Sequence, residues 1–186
     1  MTPPNSPYPY DTVLHPGPHQ VEFLRHPGPE GTGPPVWGIR VDGTDLRVLV
    51  ARATRELWAL ELDPDDDTAR EREEFLLRQH APLDLDEDRA RAHFLGDAEP
   101  ELRHAPSGAV ALLGCTCGIA ACWPLLATVT ATARTVTWSG FHQPHRPEWG
   151  ELPLGTLVFD RGGYEAALAA PLPLAEDPLA PFLGTD

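Results

Sequence analysis

Proline placement constrains this chain more than any other feature of it. Ten of its 22 prolines fall within residues 1–35. Each fixes φ and removes a backbone donor, so regular ladders and helices are expected between the prolines rather than across them. The motif His-Pro-Gly-Pro occurs at residues 15–18 and again at 26–29. Two copies so close together do not make a solenoid repeat. The reading is a proline-rich mobile N-terminal tail over 1–35, a single α+β domain over 36–170, and a second proline-rich tail over 171–186.

Within the central segment, Val36–Val41 has strand composition and Asp42-Gly43 turns the chain. Thr44 is expected to cap a helix with an apolar stripe of Leu46, Leu49, Val50, Ala53, Leu57 and Leu60. Residues 61–103 carry 15 acidic and six basic side chains, and the run Asp63–Asp67 reads as solvated. Short helices are expected over Arg70–Gln79, anchored by Phe75 and Leu76, and over Glu87–Leu95, with Ala90, Phe94 and Leu95 inward. Three strands should follow, at Ala109–Leu113, Leu125–Thr132 and Thr135–Ser139, forming an antiparallel meander. Asp160 is a good N-cap for a last helix that places Tyr164, Ala167 and Leu168 on one side.

Composition excludes several functions. The formal charge is −14, and all 14 basic residues are arginine. Nucleic-acid backbones and anionic membranes both need a basic footprint, so neither is an expected partner, whereas a protein partner is. Without lysine there is no Schiff-base chemistry and no phosphate-loop lysine. The chain shows no basic and apolar leader at its start and no apolar run long enough to span a bilayer. The expected compartment is therefore the cytoplasm, where thiols stay reduced.

The chemistry-bearing feature is Cys115-Thr116-Cys117-Gly118-Ile119-Ala120-Ala121-Cys122-Trp123. A Cys-x-Cys pair can place two sulfurs on one side of a corner, and Gly118 allows Cys122 to return from the opposite arm. Thiolates are favoured ligands for zinc, which closes a structural site with four of them or with a mix of thiolate and imidazole. The candidate metal ligands are Cys115, Cys117, Cys122 and His145, with zinc as the ion. His145 is preferred as the fourth ligand because Pro144 fixes the approach of the chain; His142 and His104 are the alternatives. The competing readings are that the thiols simply pack as small hydrophobes, or that Cys115 or Cys117 is a nucleophile or redox thiol activated by His142, His145 or Arg146. The tryptophans, Trp123, Trp138 and Trp149 near the hairpin and Trp37 and Trp58 before it, are read mainly as packing residues.

The sequence Leu113-Gly114-Cys115-x-Cys117-Gly118-x-x-x-Cys122-Trp123-Pro124-Leu125 resembles a family of actinobacterial proteins of uncharacterised activity. In this chain, as in that family, it is followed by Val136-x-Trp138-x-x-Phe141, Gln143-Pro144-His145-Arg146 and Phe159-Asp160-Arg161-x-x-Tyr164-Glu165-Ala166-Ala167-Leu168. The resemblance spans roughly 36–170 and departs from the family pattern at Ile119-Ala120-Ala121. It implies the domain limits and the grouping of Cys115, Cys117, Cys122 and His145, and it implies no activity. Three functions are therefore expected to compete. The first is a non-enzymatic binding or adaptor domain with a zinc-pinned hairpin. The second is a thiol-dependent enzyme or redox protein. The third is an acidic, immunity-like protein that masks a basic partner.

Overall fold

The computed structural model describes residues 17–28, 33–61, 68–97, 103–104, 108–119 and 122–183. The acidic run Asp63–Asp67, and residues 1–16 of the expected N-terminal tail, lie outside the described residues.

The fold is α+β, with two mixed sheets and four helices among the described residues. The chain opens with β1 (Pro18–His19) and β2 (Val21–His26), then β3 (Val36–Val41) and β4 (Thr44–Asp45). Helices α1 (Leu46–Ala59), α2 (Ala69–Arg78) and α3 (Glu87–Phe94) follow. Next come β5 (Arg103–His104), β6 (Ala109–Leu113), β7 (Leu125–Ala131), β8 (Thr135–His142) and β9 (Leu157–Asp160). Helix α4 (Arg161–Ala169) and β10 (Leu172–Pro173) close the series. Strands β5 to β9 form an antiparallel meander, with β1 added parallel to β9. The second sheet has the order β10-β2-β3-β4, with β10 parallel to β2.

Two segments expected to be tails are part of this architecture. β2 pairs with β3 along its whole length, and Phe23 and Leu24 are fully buried, so the packed unit begins well before Val36. At the other end, Asp177 pairs with the buried Arg47 and Leu179 is buried against α1 and α2. The prolines permit this because Pro18 and Pro173 sit on edge strands, where a missing donor need not interrupt a ladder.

The two sheets meet on a shared aromatic core. The Phe23 ring lies 4.8 Å from Phe94 and 5.4 Å from Tyr164, and Trp138 lies 4.8 Å from Phe159. Tyr164 is the polar pin of this core. Its hydroxyl donates to the Phe94 carbonyl at 2.7 Å and accepts from Trp138 Nε1 at 3.2 Å. Burial raises its phenol well above the ordinary range.

Local expectations met the structure unevenly. Asp42 and Gly43 both adopt positive φ, as a two-residue hairpin turn between right-twisted strands requires. Helix α1 is capped by Asp45, whose side chain accepts from Arg47 N, and not by Thr44 one residue earlier. Its stripe also needs revision. Leu60 is 86% exposed, while Val48, Ala51 and Trp58 on another side are buried against Leu76, Leu77 and Leu179. Helix α1 therefore faces two clusters, and a single-stripe reading captures only one. In α2 the anchors are Leu76 and Leu77, with Phe75 at 40% exposure. Helix α4 is capped by Asp160, which accepts from Gly163 N, with Tyr164 and Leu168 buried as expected.

Candidate metal centre

The cysteines occupy the connection between β6 and β7, outside both hydrophobic clusters. Two successive turns fold this connection. Gly118 N donates to the Cys115 carbonyl at 3.1 Å, and Cys122 N donates to the Ile119 carbonyl at 3.0 Å. Gly118 has φ +81°, which an L side chain rarely adopts, and open space surrounds the position its Cβ would take. Glycine is therefore required there by the backbone and not by crowding. Cys117 N also points at Cys115 Sγ at 3.5 Å.

These turns bring Cys115, Cys117 and Cys122 to one point, with their sulfurs all within 4.8 Å of one another. Thiolates about 2.3 Å from a tetrahedral zinc sit about 3.8 Å apart, so small loop adjustments suffice to close on an ion. Cys115 is half-buried, whereas Cys117 and Cys122 are exposed. The thiols also hydrogen-bond to one another. Cys115 is the main cause that holds the Cys117 thiol below its ordinary range. The Cys122 thiol is pushed up to about 11, first by its hydrogen bond to Cys117 and then by Cys115. Of these two thiols, Cys117 therefore gives up its proton more readily than Cys122.

A feature the sequence did not signal lies beneath the loop. His80 follows α2 and is fully buried at the neck, where its Nδ1 donates to the Trp123 carbonyl at 3.1 Å. The Gly114 carbonyl also faces the ring, although a neutral imidazole carries one N–H and donates here to Trp123. Gly114 and Trp123 are the residues just outside Cys115 and Cys122, so a single imidazole lies against both ends of the cysteine loop and is hydrogen-bonded to one of them. Ala81 reinforces the tie by exchanging two backbone hydrogen bonds with Gly114, at 2.9 and 2.8 Å. Burial pushes His80 down to about 4, against the opposing pull of the two carbonyls. A lone histidine after a helix gives no sequence signal of this kind, because its partners are backbone oxygens some 34 and 43 residues away.

The segment after β8 packs on the other side of the neck. Gln143 is buried; its Nε2 donates to the Pro124 carbonyl at 3.3 Å and its Oε1 accepts from His145 N at 3.0 Å. The His145 ring stacks on Trp123, with centroids 6.0 Å apart and planes 13° apart. It reaches the cysteines' neighbourhood through that indole and is not a member of the close-packed ligand group. His142 Nδ1 donates to the Gly140 carbonyl at 2.8 Å. The side chain of His104 lies outside the described residues.

Beside His145, the Arg146 guanidinium is enclosed by Trp58, Trp123 and Trp149, at 5.5, 5.2 and 5.8 Å from their ring centroids. Glu61 accepts from both Arg146 Nε at 3.2 Å and Trp149 Nε1 at 3.0 Å. The tryptophans thus divide by place. Trp37 and Trp138 are core residues, while Trp58, Trp123 and Trp149 join the cysteine loop's exit to α1.

Comparison with protein-family models, with curated proteins and with solved structures returns no match to this chain. Among the described residues, no helix is long and apolar enough to cross a membrane.

Proposed function

We propose that this chain is a binding domain whose β6–β7 loop holds a thiolate-coordinated metal ion, with zinc the ion best suited to it. The observation that carries the reading is the convergence of three sulfurs from one braced loop. Cys115, Cys117 and Cys122 supply three ligands. His145 is the candidate for the fourth, since it rests on the ring of the residue next to Cys122. Zinc suits the set because it accepts mixed sulfur and nitrogen ligands and has no redox chemistry of its own. The ion's role here is to fix a surface loop that carries exposed Ile119 beside the Trp123–Arg146–Trp149 cluster, and so to present one shape to a protein partner.

The test is metal analysis of reduced protein after zinc loading and desalting. One zinc per chain is expected for the wild type. Cys117→Ser should bind far less, and His145→Ala should bind with weakened affinity. A cobalt-substituted sample should show thiolate-to-metal charge-transfer absorption scaled to three sulfurs. A folded wild type that retains no zinc, with a zinc affinity equal to that of Cys117→Ser, would overturn the reading.

A further inference from the structure

The cysteine loop carries an odd number of thiols, and their distribution is uneven. Cys117 and Cys122 are exposed, while Cys115 is half-buried near the neck. A disulfide needs two sulfurs about 2.05 Å apart and Cα atoms within about 7 Å. Sulfurs already within 4.8 Å of one another, on a loop and not on paired strands, can close that gap through small side-chain and turn movements. Solvent exposure also gives a small oxidant access to Cys117, and a second thiol waits alongside. An accessible thiol beside a resolving partner is the arrangement redox-responsive cysteines use.

We infer that Cys117 and Cys122 form a reversible oxidation site, in which a hydroperoxide converts the pair to a disulfide and leaves Cys115 as the single thiol. The chemistry balances in two steps. The Cys117 sulfur attacks the O–O bond and takes one oxygen as sulfenic acid, and water leaves (or an alcohol, from an organic hydroperoxide). The Cys122 sulfur then attacks the Cys117 sulfur. The S–S bond forms, the S–O bond breaks, and the departing hydroxide takes the thiol proton as water. Two sulfurs give up two electrons and the peroxide accepts two. A dithiol reductant reverses the change by thiol–disulfide exchange. The consequence for metal binding rests on the proposed zinc site. A Cys117–Cys122 bond removes two of its three thiolates, so oxidation would release the ion and free the loop.

The experiment uses the full chain, reduced and stripped of metal with a chelator, then treated with stepwise hydrogen peroxide. Free thiols should fall from three to one with the loss of two hydrogens by mass and no intermolecular dimer. Peptide mapping should join Cys117 to Cys122, and dithiothreitol should restore all three thiols. Cys115→Ser should still form the bond. The double variant Cys115→Ser/Cys122→Ser, which leaves no thiol beside Cys117, should stop at a sulfenic acid on Cys117, captured by a dimedone probe. A parallel zinc-loaded sample should release zinc to a chromophoric chelator in step with thiol loss. Thiols that survive peroxide doses sufficient to oxidise free glutathione would overturn the inference, as would a disulfide that uses Cys115. If the chain forms the disulfide but never takes up zinc, the metal reading fails and the oxidation site stands. If zinc binds and no disulfide forms, the reverse holds.

Discussion

Protonation of His80 should destabilise the whole domain, because the charged imidazole would have to be held fully buried beneath the cysteine loop, at a cost that the facing carbonyls only partly offset. Its folded value is lowered to about 4 from an unfolded 6.5. The native state therefore holds the neutral form, while the unfolded chain takes up a proton as pH falls below 6.5. Stability is intact above the unfolded value, declines as pH falls towards the folded value, and levels off once both states are protonated. Integrated from pH 7.5 to pH 4.5, a shift of this size corresponds to a loss of about 2.5 kcal/mol. His93 is also lowered, mainly by burial, and adds a change of the same sign. Asp177 is held below its ordinary range through Arg47, against the opposing effect of its burial, and its contribution is lost only at pH values below this window. The assay is urea unfolding at the two pH values, in chelator and reductant so that neither metal nor a disulfide intervenes. His80→Asn keeps a donor for the Trp123 carbonyl and removes the titration, which isolates the His80 contribution. The wild type should lose about 2.5 kcal/mol more than the variant over this interval. Parallel slopes for the two proteins would refute the reasoning, since they would mean that His80 has no anomalous proton affinity in the fold.

Other perturbations give distinct outcomes. Arg47 bridges Asp45 and Asp177 while almost wholly buried, so Arg47→Ala should cost about 3–5 kcal/mol in urea unfolding by leaving two carboxylates without their partner. Asp177→Asn should be milder but should loosen residues 171–183, read as faster proteolysis there under native conditions. Tyr164→Phe removes the hydroxyl that joins Phe94 to Trp138 and should cost about 1–3 kcal/mol by leaving buried polar groups unpaired. Gly96→Ala should be among the most damaging small substitutions, because its Cβ would lie 2.5 Å from the Val129 carbonyl oxygen at a φ of +85°; thermal unfolding against Gly118→Ala, where space is open, separates clash from strain. Chelator treatment should leave the far-UV circular dichroism intact, because the cysteines lie outside both hydrophobic clusters.

Much of the fold was legible where a local rule applied. The β6, β7 and β8 meander, the Asp42-Gly43 turn and the Asp160-capped helix each rest on neighbours in sequence. The sequence reading lost ground wherever a distant partner decided the outcome. Proline density suggested tails, yet Val21–His26 lies between prolines and finds β3, and Leu179 finds a pocket between helices. Leu60, placed in the apolar stripe by its spacing, points to solvent because α1 turns another side to the Trp58 cluster.

The candidate site divides in the same way. Residue type and spacing alone determined that Cys115, Cys117 and Cys122 belong to one glycine-hinged loop, because turns of four residues are local objects and Gly118 allows the φ that they need. Only the tertiary structure decided what braces that loop. His80 sits against backbone carbonyls at both of its ends, and His145 meets it by stacking on an indole. Carbonyl oxygens are the same on every residue and ring stacking sets no sequence spacing, so neither contact leaves a pattern along the chain; both exist only once the strands and helices have packed.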